Sequence, residues 1–138
     1  MTTVLQPDEL LAEIQVPALA PNAGWSYQEV SRRYGDFALA GAASVVTLDA
    51  AGNITRARLT LTGATPIRAT KAEKLVLGQK ASEALFRASA RHAIEGLEQD
   101  SDIHASAEYR RSACEALALR AMTQAAQRAA DSAKGTVR

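Results

Sequence analysis

The stretch NITRARLTLTGATPIRATKAEKLVLG, residues 53–78, contains the point at which the hydrophobic pattern of the chain changes. In its first half, Ala57, Leu59 and Leu61 alternate with arginine and threonine, which is the pattern of a β-strand with one buried face and one wet face. After Pro66 the apolar residues recur at helical spacing. The sequence therefore predicts a sheet before Pro66 and helices after it.

The second half of the same stretch predicts a short helix over residues 70–77. Thr70 and Glu73 have the spacing of a capping box, in which a hydroxyl and a carboxylate each satisfy an otherwise unpaired amide at the start of a helix. Gly78 follows at a position where glycine commonly ends a helix.

Upstream of this stretch, the sequence predicts two more strands. Residues 37–48 are mostly apolar, and the turn sequence DAAGN, residues 49–53, joins them to the next strand as a hairpin. Residues 25–31, WSYQEVS, form a third predicted strand. Before it, the segment PDELLAEI, residues 7–14, predicts a short helical turn that two prolines separate from the sheet.

Downstream, two longer amphipathic segments predict helices over residues 80–97 and 106–130, the second with Ser106 as its N-cap. The whole pattern predicts an α+β fold, in which a three- or four-stranded antiparallel sheet is followed by three helices packed on one face. We expect a single domain over residues 1–138. Its expected parts are a sheet part at about 1–65, a helical part at about 66–132 and a frayed tail at 133–138.

Composition and charge narrow the class of protein. Sixteen lysine and arginine residues against fifteen aspartate and glutamate residues give a formal net charge of +1, which does not favour nucleic acid or an anionic membrane as a partner. The first twenty residues include three acidic side chains and predict neither a signal peptide nor a membrane span. The single Cys114 is compatible with a reducing cytosol. We expect a cytoplasmic protein.

Residues for catalysis or metal binding are scarce. His92 and His104 are the only histidines, they fall on different predicted elements, and no cysteine or carboxylate cluster lies beside either at metal-ligand spacing. The eight glycines form neither GxGxxG nor GxxxxGK, the patterns whose backbone amides hold the phosphates of a nucleotide. We therefore expect no catalytic residue and no metal in this chain.

Two adjacent arginines, Arg32 and Arg33, precede Asp36 at the entrance to a predicted strand. They could solvate the end of the strand, with a bridge to Glu29. They could equally form the rim of a site that handles an anion or an electron-rich ring. The residues by themselves leave both interpretations open.

Four segments taken together carry a resemblance to a known family. In this order they resemble the C-terminal domain of the FAD-binding medium subunit of the molybdenum hydroxylases, the carbon monoxide dehydrogenase and xanthine dehydrogenase family. The similarity extends from about Leu5 to Met122. The segments are LQPDELLAEIQVPALAP at 5–21, RRYGDFALAG at 32–41, TPIRATKAEKLVLG at 65–78 and SDIHASAEYRR at 101–111.

The resemblance implies a part of an oxidoreductase. In that family a molybdenum centre oxidises the substrate, iron-sulfur clusters relay the electrons, and FAD passes them to an acceptor. The implied partners are the FAD-binding domains, an iron-sulfur subunit and a molybdopterin subunit. The family's turn that matches Arg32, Arg33 and Asp36 lies near the flavin ring, so the resemblance implies cofactor-binding residues at the rim of the flavin site.

The family holds the diphosphate of FAD in glycine-rich loops of two preceding domains, and this sequence has no counterpart of them. The resemblance thus implies FAD in the complete subunit, which this chain does not retain and with which it is not catalytic alone. We expect a piece of a longer protein, a split gene product or a domain with a separate role. The alternative function is a free-standing, non-catalytic protein-interaction module that keeps the fold without the redox role.

Other conspicuous residues have expected structural roles. Arg68 is expected to anchor a loop, Tyr109 to pack, and Arg111 to pair with Glu115 along a helix surface. Trp25 is expected in the core or at a contact between domains. Tyr34, together with Arg33 and Asp36, is expected on an exposed edge that faces a flavin domain.

Overall fold

The computed structural model describes residues 3–63 and 66–134 of the chain. Every strand of its sheet is antiparallel to its neighbour, and the spatial order follows the sequence. Three helices come after the sheet, so the α+β prediction is confirmed with four strands. The elements are β1 Ala23–Val30, β2 Ala40–Leu48, β3 Ile54–Thr62, β4 Ile67–Arg68, α1 Thr70–Val76, α2 Glu83–Ile94 and α3 Ala107–Ala133.

The helices form one layer on one face of the sheet, as the sequence predicts. The longest helix, α3, lies across β1 and β2, whereas α1 packs against β3 and α2 contacts both other helices. We call the covered side, which includes the buried Val46, Leu59 and Leu61, the inner face. The opposite side, which includes the exposed Trp25 and Tyr27, is the outer face. None of the helices within the described ranges is long and apolar enough to cross a membrane.

Residue alternation along β3 assigns side chains to the two faces. Ala57, Leu59 and Leu61 are buried, and the threonines and arginines between them are exposed or half-buried, as predicted. Ile54 is also buried although it lies three residues before Ala57. The pairing of β2 with β3 shifts register between Thr47 and Leu48, and such an irregularity changes the alternation by one residue.

Close contact between α3 and β1 depends on small residues. A Cβ atom at Gly24 would lie 2.1 Å from the backbone oxygen of Ala125 and 2.4 Å from the backbone nitrogen of Ala129. The backbone of α3 therefore lies directly against β1. The alanines that make this approach possible are buried at spacings of three and four residues: Ala118, Ala121, Ala125 and Ala129.

The predicted capping box at α1 is wrong. Ala69 precedes the helix as its N-cap with no side-chain cap hydrogen bond, and Thr70 is already the first helical residue. The Glu73 carboxylate instead accepts hydrogen bonds from the backbone N–H of Leu59 at 3.0 Å and from the Arg68 guanidinium at 2.9 and 2.7 Å. Arg68 thus anchors β4 to α1, which agrees with its expected structural role.

Several boundaries differ from those predicted. Residues 7–14 form no helix; apart from a turn at positions 7 and 8 they have no regular structure, and their apolar side chains are exposed. Phe37 lies in a loop, because β2 begins three residues later, at Ala40. Ser106 is the N-cap of α3 as predicted, and its side chain accepts a hydrogen bond from the backbone N–H of Tyr109. Of the predicted frayed tail, Ala133 is helical and residues 135–138 lie outside the described residues.

Candidate functional site

The loop between β1 and β2, residues 31–39, carries all three predicted site residues. A tight turn shapes it: the backbone N–H of Asp36 donates to the carbonyl oxygen of Arg33 at 3.1 Å, as does the Ser31 hydroxyl at 3.0 Å. Gly35 lies at φ +88°, a left-handed conformation that glycine adopts without steric cost. The residue types RRYGD therefore fold locally into this turn.

The two arginines of the turn differ in their ion pairing. The Arg32 guanidinium lies 3.5 Å from the Asp36 carboxylate and is neutralised by it. Arg33 is exposed and makes no ion pair with any residue in the described ranges. The bridge to Glu29 is likewise not formed there; the Glu29 carboxylate accepts a hydrogen bond from the Tyr27 hydroxyl at 2.8 Å. The loop thus presents one free positive charge.

Aromatic exposure marks the same part of the molecule. Of the six aromatic side chains in the chain, Phe86 is buried and the other five are exposed. Tyr34 and Phe37 are 108% and 99% exposed, and both belong to loop 31–39. Aromatic side chains usually supply core or interface area, so two fully exposed rings on one loop are typical of a contact with a partner.

Trp25 and Tyr27 extend the aromatic surface along the outer face of β1. Trp25 is half exposed, and the Arg128 guanidinium lies 5.0 Å from its ring centroid, within the range of a cation–π contact. Arg128 also donates a hydrogen bond to the Trp25 carbonyl oxygen at 2.7 Å. Trp25 is therefore not a core residue, and α3 holds it from the edge of the sheet.

A groove of about 290 Å³ separates loop 31–39 from the connection between α2 and α3. It brings together residues that are far apart in the sequence. Its charged and polar lining residues are Arg32, Asp36, Asp100, Asp102, His104 and Arg110.

Arg110 bridges the two walls of this groove. Its side chain is buried, Nη1 donates to the Leu39 carbonyl oxygen at 2.8 Å, and Nη2 donates to Oδ2 of Asp102 at 2.7 Å. The sequence did not predict this pair. The motif SDIHASAEYRR contains both residues, but no local signal points to Leu39, which lies 71 positions away.

The Asp102 carboxylate is held in its ionised form. The backbone N–H groups of His104 and Ala105 donate to Oδ1 at 2.8 and 2.9 Å. These two bonds, followed by the Arg110 guanidinium, outweigh partial burial and lower the pKa of Asp102 to about 2. At neutral pH the Asp102–Arg110 pair is therefore fully charged.

The remaining polar contacts have structural roles. Arg111 does not pair with Glu115 as predicted; it donates to the Leu97 carbonyl oxygen, and Glu115 faces Arg91 at 3.6 Å. His92 forms a surface pair with Glu95. Cys114 is buried, and burial raises the pKa of its thiol. No group of three or more metal-ligating side chains occurs within residues 3–63 and 66–134.

The positive-φ glycines of the described residues are dispersed, whereas loop 31–39 combines a cation with aromatic rings. Within residues 3–63 and 66–134, four glycines have positive φ, at positions 35, 52, 78 and 96, and they lie in four separate loops rather than in one phosphate cradle. By contrast, Arg33 and Tyr34 offer a cation and an aromatic ring that could meet a planar, electron-rich group.

Comparisons with known proteins point to one family. A model of the carbon monoxide dehydrogenase flavoprotein C-terminal domain matches residues 25–125. The 6-hydroxypseudooxynicotine dehydrogenase complex subunit alpha of Paenarthrobacter nicotinovorans is 39% identical over 125 residues, 89% of this chain and 42% of that protein. The carbon monoxide dehydrogenase medium chain of Hydrogenophaga pseudoflava is 32% identical over 130 residues, 93% of this chain and 45% of that protein.

Solved structures of the same family have a similar fold. Carbon monoxide dehydrogenase from Hydrogenophaga pseudoflava superposes with a TM-score of 0.83 at 33% identity over 92% of this chain and 45% of the matched chain. The segment from Trp25 to the last residue makes up less than 92% of the chain. The superposition therefore also includes part of the segment before Trp25. The chain spans less than half the length of these relatives.

Proposed function

Because this chain belongs to the carbon monoxide dehydrogenase flavoprotein C-terminal domain family, the C-terminal domain of the FAD-binding medium subunits of molybdenum hydroxylases, we propose that its loop 31–39 forms the rim of the flavin site. The observation that carries this proposal is the combination of one unpaired cation, Arg33, with two fully exposed aromatic rings on the same loop. Through this loop the domain contacts the flavin-binding part of the subunit. The proposed partners beyond it are the iron-sulfur and molybdopterin subunits.

We propose a different role for each polar or aromatic residue of the loop. When bound, FAD accepts electrons and passes them on. Arg33 would hold a positive charge beside the flavin ring and would favour added electron density there, which would raise the reduction potential. Asp36 neutralises Arg32 at 3.5 Å and keeps that charge from adding to the effect of Arg33. Tyr34 and Phe37 pack against the neighbouring domain and exclude water from the rim.

The test compares arginine variants in the complete flavin subunit. Arg33→Ala should lower the flavin reduction potential by roughly 20 mV, the equivalent of about 1 kcal/mol for a two-electron couple. The double variant Arg32→Ala/Asp36→Ala should have a smaller effect, because it removes the ion pair as a whole and leaves the net charge of the loop unchanged. Arg56→Ala is the control: Arg56 is exposed and pairs across the sheet with Thr47, at the end of the sheet away from loop 31–39.

Redox titration monitored by flavin absorbance measures the potentials. Equal potentials for wild type, Arg33→Ala and Arg56→Ala would overturn the flavin-rim role. If the domain also fails to associate with the flavin-binding part, the alternative of a separate interaction module gains support.

A further inference from the structure

Loop 31–39 has few attachments to the rest of the molecule. Its base is closed by the backbone N–H of Leu39, which donates to the Val30 carbonyl oxygen at 2.8 Å. The bonds of Ser31, Arg32 and Asp36 described above stay inside the loop. Among the described residues, the hydrogen bond from Arg110 to the Leu39 carbonyl oxygen is the single one that joins this loop to the helical layer.

Because Arg110 is buried, its hydrogen bonds depend on the exact position of their acceptors. Arg110 lies in the first turn of α3 and is 6% exposed, so its guanidinium has little water with which to pair. A buried guanidinium stabilises a structure only when its donors meet acceptors in the right geometry, because desolvation of the charge opposes burial. Leu39 and Asp102 are the two acceptors that the described residues supply, and Nε of Arg110 is buried without a partner among them. Moving either one leaves a buried charge with too few partners.

Asp102 in turn is fixed by its own loop. The two backbone amides that donate to Oδ1 leave Oδ2 free to accept from Arg110. The carboxylate is thereby oriented before the arginine binds it. The chain of contacts runs from the α2–α3 connection through Asp102 and Arg110 to the backbone of loop 31–39.

We propose that Arg110 and Asp102 are positioning residues for the flavin reaction: through Leu39 they fix the loop that presents Arg33. This inference rests on the proposed function of the loop. According to this inference, Arg110 and Asp102 lie outside the flavin-facing surface but determine the position of the positive charge of Arg33. A loop released from the clamp samples several conformations, and the average distance from Arg33 to the ring then increases.

The first measurement uses the chain itself. Amide hydrogen exchange of residues 31–39 is compared among wild type, Arg110→Met, Asp102→Asn and the control Asp100→Asn. Asp100 lines the same groove and makes no ion pair within the described ranges. We expect exchange of the Leu39 amide to quicken about tenfold in Arg110→Met and less in Asp102→Asn, which keeps the bonds from His104 and Ala105.

Amides of β2 and β3 serve as the internal standard and should exchange as in wild type. If Arg110→Met fails to fold, Asp102→Asn carries the measurement, because its side chain is about half exposed and the substitution preserves its shape. Unchanged exchange of the Leu39 amide in the folded variants would overturn the inference.

The second measurement is a double-mutant cycle in the complete flavin subunit, with the reduction potential as readout. If the clamp positions Arg33, the shift caused by Arg33→Ala becomes smaller in the Asp102→Asn background than in wild type. Equal shifts in both backgrounds would overturn the positioning role even when the loop exchanges faster. No shift for Arg33→Ala in wild type would overturn the proposed function of the loop instead, so the two failures are distinguishable.

Discussion

At the scale of single residues, Glu73 links three elements. Its side chain is 5% exposed, and it accepts from the backbone of β3 and from Arg68 of β4 while belonging to α1. Arg58 adds a second cation at 3.6 Å. One buried carboxylate with several charge-assisted partners contributes more than a surface ion pair does.

Replacing Glu73 by glutamine should therefore destabilise the fold. The neutral side chain keeps its shape but loses the charge that two arginines face, and we expect a loss of about 2 kcal/mol. Urea unfolding followed by circular dichroism measures it. Glu83→Gln, which removes an exposed pair with Arg87, is the matched control and should cost under about 0.5 kcal/mol.

The effect of Glu73 should depend on pH in a defined direction. Burial raises the pKa of its carboxyl, but the hydrogen bonds from Arg68 and Leu59 and the charges of both arginines outweigh burial, and the pKa lies below its ordinary value of 4.5. A lowered folded-state pKa means that the stabilisation is complete above that ordinary value and is lost as the pH falls below it. The difference between wild type and Glu73→Gln should therefore shrink on acidification. A difference that grows would contradict this assignment.

At the scale of elements, the contact between α3 and β1 determines how the helical layer sits on the sheet. Gly24 is the residue of β1 that allows the helix backbone to approach, since a Cβ there would overlap Ala125. Backbone atoms cannot move aside as the end of a side chain can. The whole helix would have to shift to accommodate a methyl group.

Gly24→Ala should accordingly cost about 3 kcal/mol, at the upper end of the usual penalty for overpacking. Gly35→Ala is the comparison: no atom lies within 4 Å of its Cβ position, and φ is +88°, so strain of the backbone alone should cost about 1 kcal/mol. Thermal unfolding of both variants gives the two values. Equal losses of stability in the two variants would mean that α3 can shift away from β1 at little cost.

At the scale of the whole molecule, the aromatic residues lie mainly on the outside. Trp25, Tyr27, Tyr34 and Phe37 form an exposed series along β1 and loop 31–39, whereas Phe86 is the one aromatic side chain in the described core between sheet and helices. Relatives are more than twice as long as this chain, so the family has further domains to cover such a surface.

Tyr34→Ser and Phe37→Ser should leave the stability of the chain within about 0.5 kcal/mol of wild type, because both rings are fully exposed. Each should weaken docking to the flavin-binding part about tenfold, as expected for an aromatic anchor at an interface. Isothermal titration calorimetry measures the affinity. Leu77→Ser is the control, since Leu77 is exposed beside Gly78, which contacts the start of β3 at the other end of the sheet. Unchanged docking in both aromatic variants would exclude these rings from the interface.

The chain by itself should not retain FAD. Its positive-φ glycines are dispersed over four loops, and no described group of backbone amides converges on a diphosphate. After incubation with excess FAD and desalting, the protein should emerge colourless by absorbance at the flavin bands. Stoichiometric yellow protein would mean that a phosphate site exists in this chain.

The sequence by itself determined the order and type of most elements. Alternation along β3, the loss of that period after Pro66 and the N-cap Ser106 are local signals, because each depends on neighbours within a few residues. The motifs also placed Arg32, Arg33 and Asp36 in one turn, since four positions separate the pair that forms the ion contact.

Only the tertiary structure decided which distant groups meet. Glu73 has the spacing of a cap, yet its carboxylate binds Leu59 and Arg68, because β3 and β4 bring stronger partners to it than its own helix start offers. Phe37 reads as part of a strand but lies outside the sheet, and Arg110 reaches Leu39 across 71 positions. Hydrogen bonds and burial depend on distance in space, and a pattern that is read along the chain contains no information about that distance until the helices are packed on the sheet.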